Sequence, residues 1–249
     1  MNDIQSTTSF RQTDGDYIKS YLILRQLIGL LGIGLPFALI IGNRCMGNPF
    51  WLQESISIYY YSYMHLAFVG VLSVLGIVLI TYHEAHFPLA NKVSTLAGFF
   101  ALEVAAFPTV FDNNFNGNIY VITTVWKDWF QYIHFGSAFL LFGCFAVFCF
   151  VIFQKSDDKI VPKDFDAKKR YRNKIYKISG WGIVISIALI GLGLGLKHIY
   201  PSNAYSAYST FIFETTALLF FGNSWLLKGT VNWKQSGNTI LEKMVAPVR

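Results

Sequence analysis

Six long apolar stretches limit how this chain can fold more than any other feature of its sequence. A helix that crosses a lipid bilayer needs about 20 consecutive, mostly apolar residues. The stretches that approach or exceed this length lie at residues 21–42, 61–82, 93–111, 129–153, 178–196 and 205–227. The sequence therefore predicts an all-α fold, a polytopic membrane bundle of six transmembrane helices within residues 21–229. Residues 1–20 and 230–249 are predicted to be polar terminal segments.

The scarcity and the placement of charged residues support a membrane location. Only 14% of the residues are charged, whereas a soluble domain usually carries about 25%. Nine basic residues lie between Lys155 and Lys177 and account for much of the net charge of +6. A single basic loop gives little support for nucleic-acid binding. We expect this loop to contact anionic lipid headgroups and to help fix the topology.

The basic residues also predict an orientation. With both termini in the cytoplasm, sixteen Lys and Arg residues lie in inner segments, and Arg44, Lys127 and Lys197 lie in outer loops. This distribution follows the positive-inside rule. Arg25, one turn inside the first helix, is expected to extend its side chain toward the inner surface. The predicted location is a bacterial inner membrane.

Ionisable residues from four predicted helices fall at a similar depth near the outer surface. They are His65, Glu103, His134 and Glu214. Such groups are costly in lipid unless they face a polar interior and find partners. The sequence predicts one shared, outward-facing polar cavity in which the histidines pair with the glutamates. The rim is predicted to hold Ser55, Ser57, Tyr59, Tyr60 and Tyr61.

Each of these residues also has a simpler interpretation. The two histidines can hydrogen-bond backbone carbonyl groups near the membrane surface. The two glutamates can join neighbouring helices as structural polar contacts. The tyrosines can form an interfacial aromatic belt, and consecutive tyrosines on a helix point in different directions.

The predicted inner side offers weaker candidates. The segment His83-Glu84-Ala85-His86 is one residue short of the H-E-x-x-H zinc motif, so metal binding is not favoured there. The inner halves of the helices carry few polar groups. Gly191 and Gly195, spaced by four residues, predict either close helix packing or a gap that admits a lipid tail.

Several short motifs resemble a known group of proteins by their order and spacing. They are Ser55-Ile56-Ser57, Tyr59-Tyr60-Tyr61, Phe68-Val69-Gly70, Leu96-Ala97-Gly98, Phe107-Pro108-Thr109, Ile133-His134, Arg172-Asn173, Ile175-Tyr176, Phe211 with Glu214, Ser224-Trp225-Leu226 and Lys228-Gly229. The chain resembles poorly characterised bacterial six-helix membrane proteins, loosely similar to the Frag/DRAM/Sfk superfamily. The resemblance implies six helices and a role in lipid and membrane homeostasis. Where the related pattern has Met-Arg-Asp, this chain has Met64-His65-Leu66.

Three functions follow from these observations. The first is the binding or sensing of a lipid or small amphiphile in the outer cavity, without catalysis or a cofactor. The second is a zinc-dependent intramembrane hydrolase of a lipid amide or ester, with ligands His65, His134 and His198 and with Glu103 or Asp128 as the base. The third is a proton-coupled small-solute transporter that uses Glu103 and Glu214.

Overall fold

The computed structural model describes residues 2–49, 51–84, 87–110, 128–155, 167–199 and 204–230. This part of the chain forms six α-helices. They are α1 (Asn2–Cys45), α2 (His65–Thr81), α3 (Pro88–Ala106), α4 (Phe130–Val147), α5 (Ala167–Ile199) and α6 (Ala204–Thr230). The predicted all-α class and the six helices are confirmed.

Four of the helices are long and apolar enough to cross a bilayer. The candidate crossing segments are Leu22–Cys45, Pro88–Ala106, Phe130–Ile152 and Ala167–Leu196. Helix α2 is also apolar, but it has only 17 residues. The fold is therefore that of a helical membrane protein. Membrane crossings by α2 and α6, and the positions of the termini, stay predictions.

The helix ends differ from the predicted spans, and the differences at α1 and α2 bear on the candidate site. Helix α1 has 44 residues, and at 1.5 Å per residue it extends well beyond a hydrocarbon core of about 30 Å. The polar segment before residue 21 therefore continues the first helix. Helix α2 starts at His65, after a short 3-10 helix at Ser57–Tyr61 that contains the three tyrosines.

Two pairs of glycines allow close approach between helices. A Cβ atom on Gly29 of α1 would lie 2.6 Å from the carbonyl oxygen of Gly222 in α6. A Cβ atom on Gly76 of α2 would lie 2.9 Å from the carbonyl oxygen of Gly98 in α3. Because any larger residue would collide with backbone at these points, the glycines set the spacing of the α1–α6 and α2–α3 pairs.

The predicted packing role of the α5 glycines is wrong for two of them. No atom lies within 4 Å of the position where a Cβ would stand on Gly191 or Gly195. Both residues are exposed, so within the described chain they face open space. Gly193 instead packs against Ser209 of α6. The interpretation of Gly191 and Gly195 as a lipid-tail gap stays a prediction.

Candidate functional site

The loop between α1 and α2 is attached to α6 by two hydrogen bonds. The backbone N–H of Ile56 donates to the carboxylate of Glu214 at 2.6 Å. The backbone N–H of Phe211 donates to the carbonyl oxygen of Glu54 at 2.9 Å. An acidic side chain in a long helix thus binds a main-chain group of the loop, which holds the predicted outer rim against α6.

Two of the three tyrosines point into the protein and stabilise the same loop. The hydroxyl group of Tyr59 donates to the carbonyl oxygen of Trp51 at 2.7 Å. The hydroxyl group of Tyr61 donates to the carbonyl oxygen of Thr109 at 2.7 Å, which joins the loop to the chain after α3. Both rings are buried. Burial raises the pKa of Tyr59 to about 12, so its hydroxyl group stays a donor at neutral pH.

The third tyrosine packs on His65 at the start of α2. The rings of Tyr60 and His65 meet edge to face, with centroids 4.5 Å apart. The Nδ1 atom of His65 lies 2.7 Å from the carbonyl oxygen of Tyr60. Because a carbonyl oxygen can only accept, Nδ1 carries the proton and donates it. The Nε2 atom of neutral His65 therefore carries a lone pair, and both side chains are half-buried.

Glu103 and His134 connect α3 to α4. The hydroxyl group of Ser137 donates to the carboxylate of Glu103 at 2.6 Å. The Nδ1 atom of His134, a buried residue, donates to the carbonyl oxygen of Phe107 at 2.7 Å. Phe107 follows the last residue of α3, where helical carbonyl groups lack a partner within the helix.

The expected pairing of the histidines with the glutamates is wrong. Within the ranges that the structure describes, each of the four ionisable side chains bonds a backbone group or a serine instead. The physical reason is that helix ends and the loop offer unsatisfied backbone groups within reach of each side chain. The simpler interpretations of both histidines and of Glu103 match these contacts. A ligand-binding role for the set stays a prediction.

The serines of the predicted rim are also buried. The hydroxyl groups of Ser55 and Ser57 lie 3.1 Å apart, and the hydroxyl group of Ser55 accepts from the backbone N–H of Ile58 at 3.3 Å. These contacts form the turn that starts the 3-10 helix. Among the predicted rim residues, Tyr60 is the half-buried one and the other four are buried.

The residues of the alternative zinc site are only partly described. Asp128 is exposed just before α4. The side chain of His198 lies outside the described residues. Among the side chains that the structure describes, no three His, Cys, Asp or Glu residues are grouped closely enough to hold a metal ion.

The sequence interpretation missed a buried polar network at the predicted inner end. The guanidinium group of Arg25 donates to the carboxylate of Glu84 at 3.1 Å and to the hydroxyl group of Tyr82 at 2.9 Å. The hydroxyl group of Tyr82 in turn donates to Glu84 at 2.8 Å. The Arg25 side chain is only 6% exposed. It does not extend to the surface as predicted, because a carboxylate meets it inside.

The same network corrects the expectation that the inner halves of the helices lack polar groups. Asn91 of α3 holds Glu84 by its backbone, accepting from the Glu84 N–H at 2.6 Å and donating to the Glu84 carbonyl oxygen at 3.1 Å. One signal was present in the sequence. An arginine within an apolar run requires a counter-charge, and Glu84 closely follows the second apolar run.

The fold and these contacts define a helical membrane protein with hydrogen-bonded polar groups at both ends of the bundle. Comparisons of the chain with protein families, with characterised proteins and with solved structures find no match. The resemblance to the Frag/DRAM/Sfk superfamily therefore stays a prediction.

Proposed function

We propose that the protein binds a lipid or small amphiphile at the predicted outer end of the bundle and catalyses no reaction. The observation that carries this proposal is the hydrogen bond from Nδ1 of His65 to the carbonyl oxygen of Tyr60. It fixes the tautomer and leaves Nε2 as an acceptor. The half-buried Tyr60, whose ring packs on that of His65, offers its hydroxyl group as a further polar contact.

An amphiphile requires a polar contact directly beside apolar surface. Leu66, the residue after His65, is 83% exposed. Val74 and Ile77, further along α2, are 49% and 56% exposed. By helix periodicity, Leu66, Val74 and Ile77 share one side of α2, and this apolar stripe, which can contact an acyl chain, begins at the residue next to His65. Because Nε2 accepts, the favoured headgroups carry hydroxyl or ammonium donors.

The other predicted site residues hold this surface in place. Glu214 binds the loop at Ile56, and Tyr61 binds the chain after α3. With both termini in the cytoplasm, the site faces away from the cytoplasm in a bacterial inner membrane. The basic Lys155–Lys177 loop then lies on the opposite side and contacts anionic headgroups.

The test is to quantify the lipid that co-purifies with variants of the intact protein. We expect His65→Ala to lower the lipid-to-protein ratio roughly fivefold, the effect of losing about 1 kcal/mol of hydrogen bonding. Tyr60→Phe keeps the ring and the carbonyl group, and is expected to lower the ratio less. His83→Ala changes an exposed histidine at the other end of α2 and serves as the control. An unchanged lipid ratio in folded His65→Ala and Tyr60→Phe protein rejects the proposal.

Glu214→Gln separates charge from anchoring in the same assay. Glutamine keeps an acceptor for the Ile56 N–H but carries no charge. A changed lipid composition in this variant indicates that the headgroup senses the carboxylate. Elemental analysis of the wild-type protein tests the hydrolase alternative, for which equimolar zinc is the expected result.

A proton-coupled transporter is the second candidate. A proton path needs acidic groups at both ends of the bundle. Glu103 and Glu214 lie at the predicted outer end, and Glu84 supplies a carboxylate at the predicted inner end. The test is proton movement across proteoliposomes in the presence of candidate solutes. Transport requires that Glu214→Gln and Glu84→Gln each abolish the flux, while Asp128→Asn leaves it unchanged.

A further inference from the structure

A cluster of buried rings fills the inner end of the bundle. Trp225 of α6 is fully buried and packs most closely against three rings. Its ring centroid lies 5.3 Å from that of Tyr82, 5.0 Å from that of Phe148 and 5.1 Å from that of Phe153. The ring of Tyr176 in α5 lies 5.4 Å from Phe153 on the same cluster. We call these five residues the inner aromatic cluster.

Two hydrogen-bond donors in this cluster have no partner within the described chain. They are the indole Nε1 of Trp225 and the hydroxyl group of Tyr176. Trp225 is 0% exposed and Tyr176 is 1% exposed. A buried donor without a partner costs about 1–3 kcal/mol. The two donors, on rings that both pack against Phe153, therefore indicate an acceptor group outside the described chain.

Positive charges surround the same cluster. The Nζ atom of Lys228 lies 5.8 Å from the ring centroid of Phe153. The guanidinium carbon of Arg25 lies 5.6 Å from the ring centroid of Tyr82. Lys169 and Arg172 of α5 are close enough to act electrostatically on Lys228. In the described chain, Glu84 is the carboxylate that acts on Lys228, so the cations outnumber the acids.

We propose that the inner aromatic cluster and its cations form a binding site for a phosphate group. Trp225 and Tyr176 donate hydrogen bonds to its oxygens, while Lys228, with Lys169 and Arg172 near it, balances its charge. A phosphate fits because it offers several strong acceptor oxygens and a charge that lysine and arginine both bind. The group belongs to a lipid headgroup or to free phosphate. The site is independent of the outer site and stands whether or not that proposal holds.

The experiment measures thermal unfolding of the full-length protein in a neutral detergent. Three arms are compared at matched ionic strength: inorganic phosphate, micellar phosphatidylglycerol and micellar phosphatidylcholine. A ligand that binds the folded state raises the unfolding midpoint in proportion to the logarithm of its concentration. Both lipids carry a phosphate group, but the choline cation cancels its charge in phosphatidylcholine. Because the site is rich in cations, phosphatidylglycerol is expected to raise the midpoint well above the phosphatidylcholine arm. An additional shift with inorganic phosphate indicates a site open to water, and its absence indicates a lipid headgroup.

Two pairs of variants separate anion binding from structural support. Tyr176→Phe removes only the unpartnered hydroxyl group, so we expect no loss of stability without anion and an apparent affinity reduced about tenfold. Tyr61→Phe removes a buried hydroxyl group that has a protein partner, so it is expected to lose stability equally with and without anion. Lys228→Gln is expected to reduce affinity more than Lys174→Gln, which changes an exposed lysine on α5.

Two results overturn the proposal. One is an unfolding midpoint that neither phosphate nor phosphatidylglycerol raises above the phosphatidylcholine arm. The other is a Tyr176→Phe variant that loses as much stability without anion as Tyr61→Phe does. That second result means that the hydroxyl group of Tyr176 already has a partner within the protein.

Discussion

The polar groups at the two ends of the bundle have different kinds of hydrogen-bond partners. At the predicted outer end, side chains bind mainly backbone groups, as Glu214 binds Ile56 and His65 binds Tyr60. At the predicted inner end, charged side chains bind one another, as Arg25 binds Glu84, and two buried donors lack a partner in the described chain. One end is thus fixed by its own contacts, whereas the other keeps two buried donors for the additional group that we propose.

The largest effect is expected from breaking the inner ion pair. Glu84→Ala leaves the buried guanidinium group of Arg25 without its carboxylate. Because the Glu84 side chain is 30% exposed, we expect a loss of about 3 kcal/mol in the free energy of unfolding, the low end for a buried pair. Denaturant unfolding in detergent measures this loss. Asp128→Ala removes an exposed carboxylate and serves as the control, with an expected change below about 0.5 kcal/mol. Equal effects of the two substitutions contradict a buried ion pair.

A smaller effect is expected from the outer anchor. Glu214→Ala leaves the backbone N–H of Ile56 without its acceptor, which costs about 1–2 kcal/mol. The loss is confined to the loop, so amide hydrogen exchange over residues 51–64 is expected to speed up before that of the helices. Glu214→Gln keeps an acceptor and is expected to retain most of the protection. Uniform acceleration across all helices rejects a local anchor.

The link between α3 and α4 is expected to matter less. Ser137→Ala removes the donor to the carboxylate of Glu103, and the expected loss is about 1 kcal/mol. Ser73→Ala on α2 provides a serine control outside this contact. If Glu103→Ala and Ser137→Ala each destabilise but their double variant loses no more than either alone, the pair is coupled as the structure indicates.

The smallest effect concerns the ionisation of Tyr59. Its folded-state pKa of about 12 lies above the ordinary value of 10.0. The neutral hydroxyl group is therefore favoured in the folded state. Its contribution to stability is fully present below pH 10 and is lost as the pH rises toward 12. Tyrosine-selective NMR with Tyr59→Phe as the assignment control checks this, and ionisation of Tyr59 near pH 10 contradicts burial.

Much of the fold was predictable because hydrophobicity alone limits it. Runs of about 20 apolar residues can satisfy their backbone groups in lipid only as helices. The 3-10 helix at Ser57–Tyr61 was not predictable from the same pattern, since a segment of 5 residues is too short to show a hydrophobic period. The contacts between Gly29 and Gly222 and between Gly76 and Gly98 were not predictable either, because a glycine in a helical sequence does not show which neighbouring helix it faces.

For the candidate site, the sequence predicted only which polar residues lie at a similar depth in the membrane. The sequence places His65, Glu103, His134 and Glu214 near one surface, but it does not show the direction of each side chain. Each takes the nearest unsatisfied backbone or hydroxyl group. A similar depth in the membrane therefore did not show that these four side chains contact one another.

The class of this protein, an all-α membrane bundle, follows from its amino-acid sequence, because the cost of exposing backbone groups to lipid leaves a chain of this composition few alternatives. Which polar groups contact one another is visible only in the folded bundle. Arg25 and Glu84 are 59 residues apart, and Glu214 and Ile56 are 158 residues apart. Contacts over such separations depend on helix rotation and packing, which the local pattern of residues does not encode.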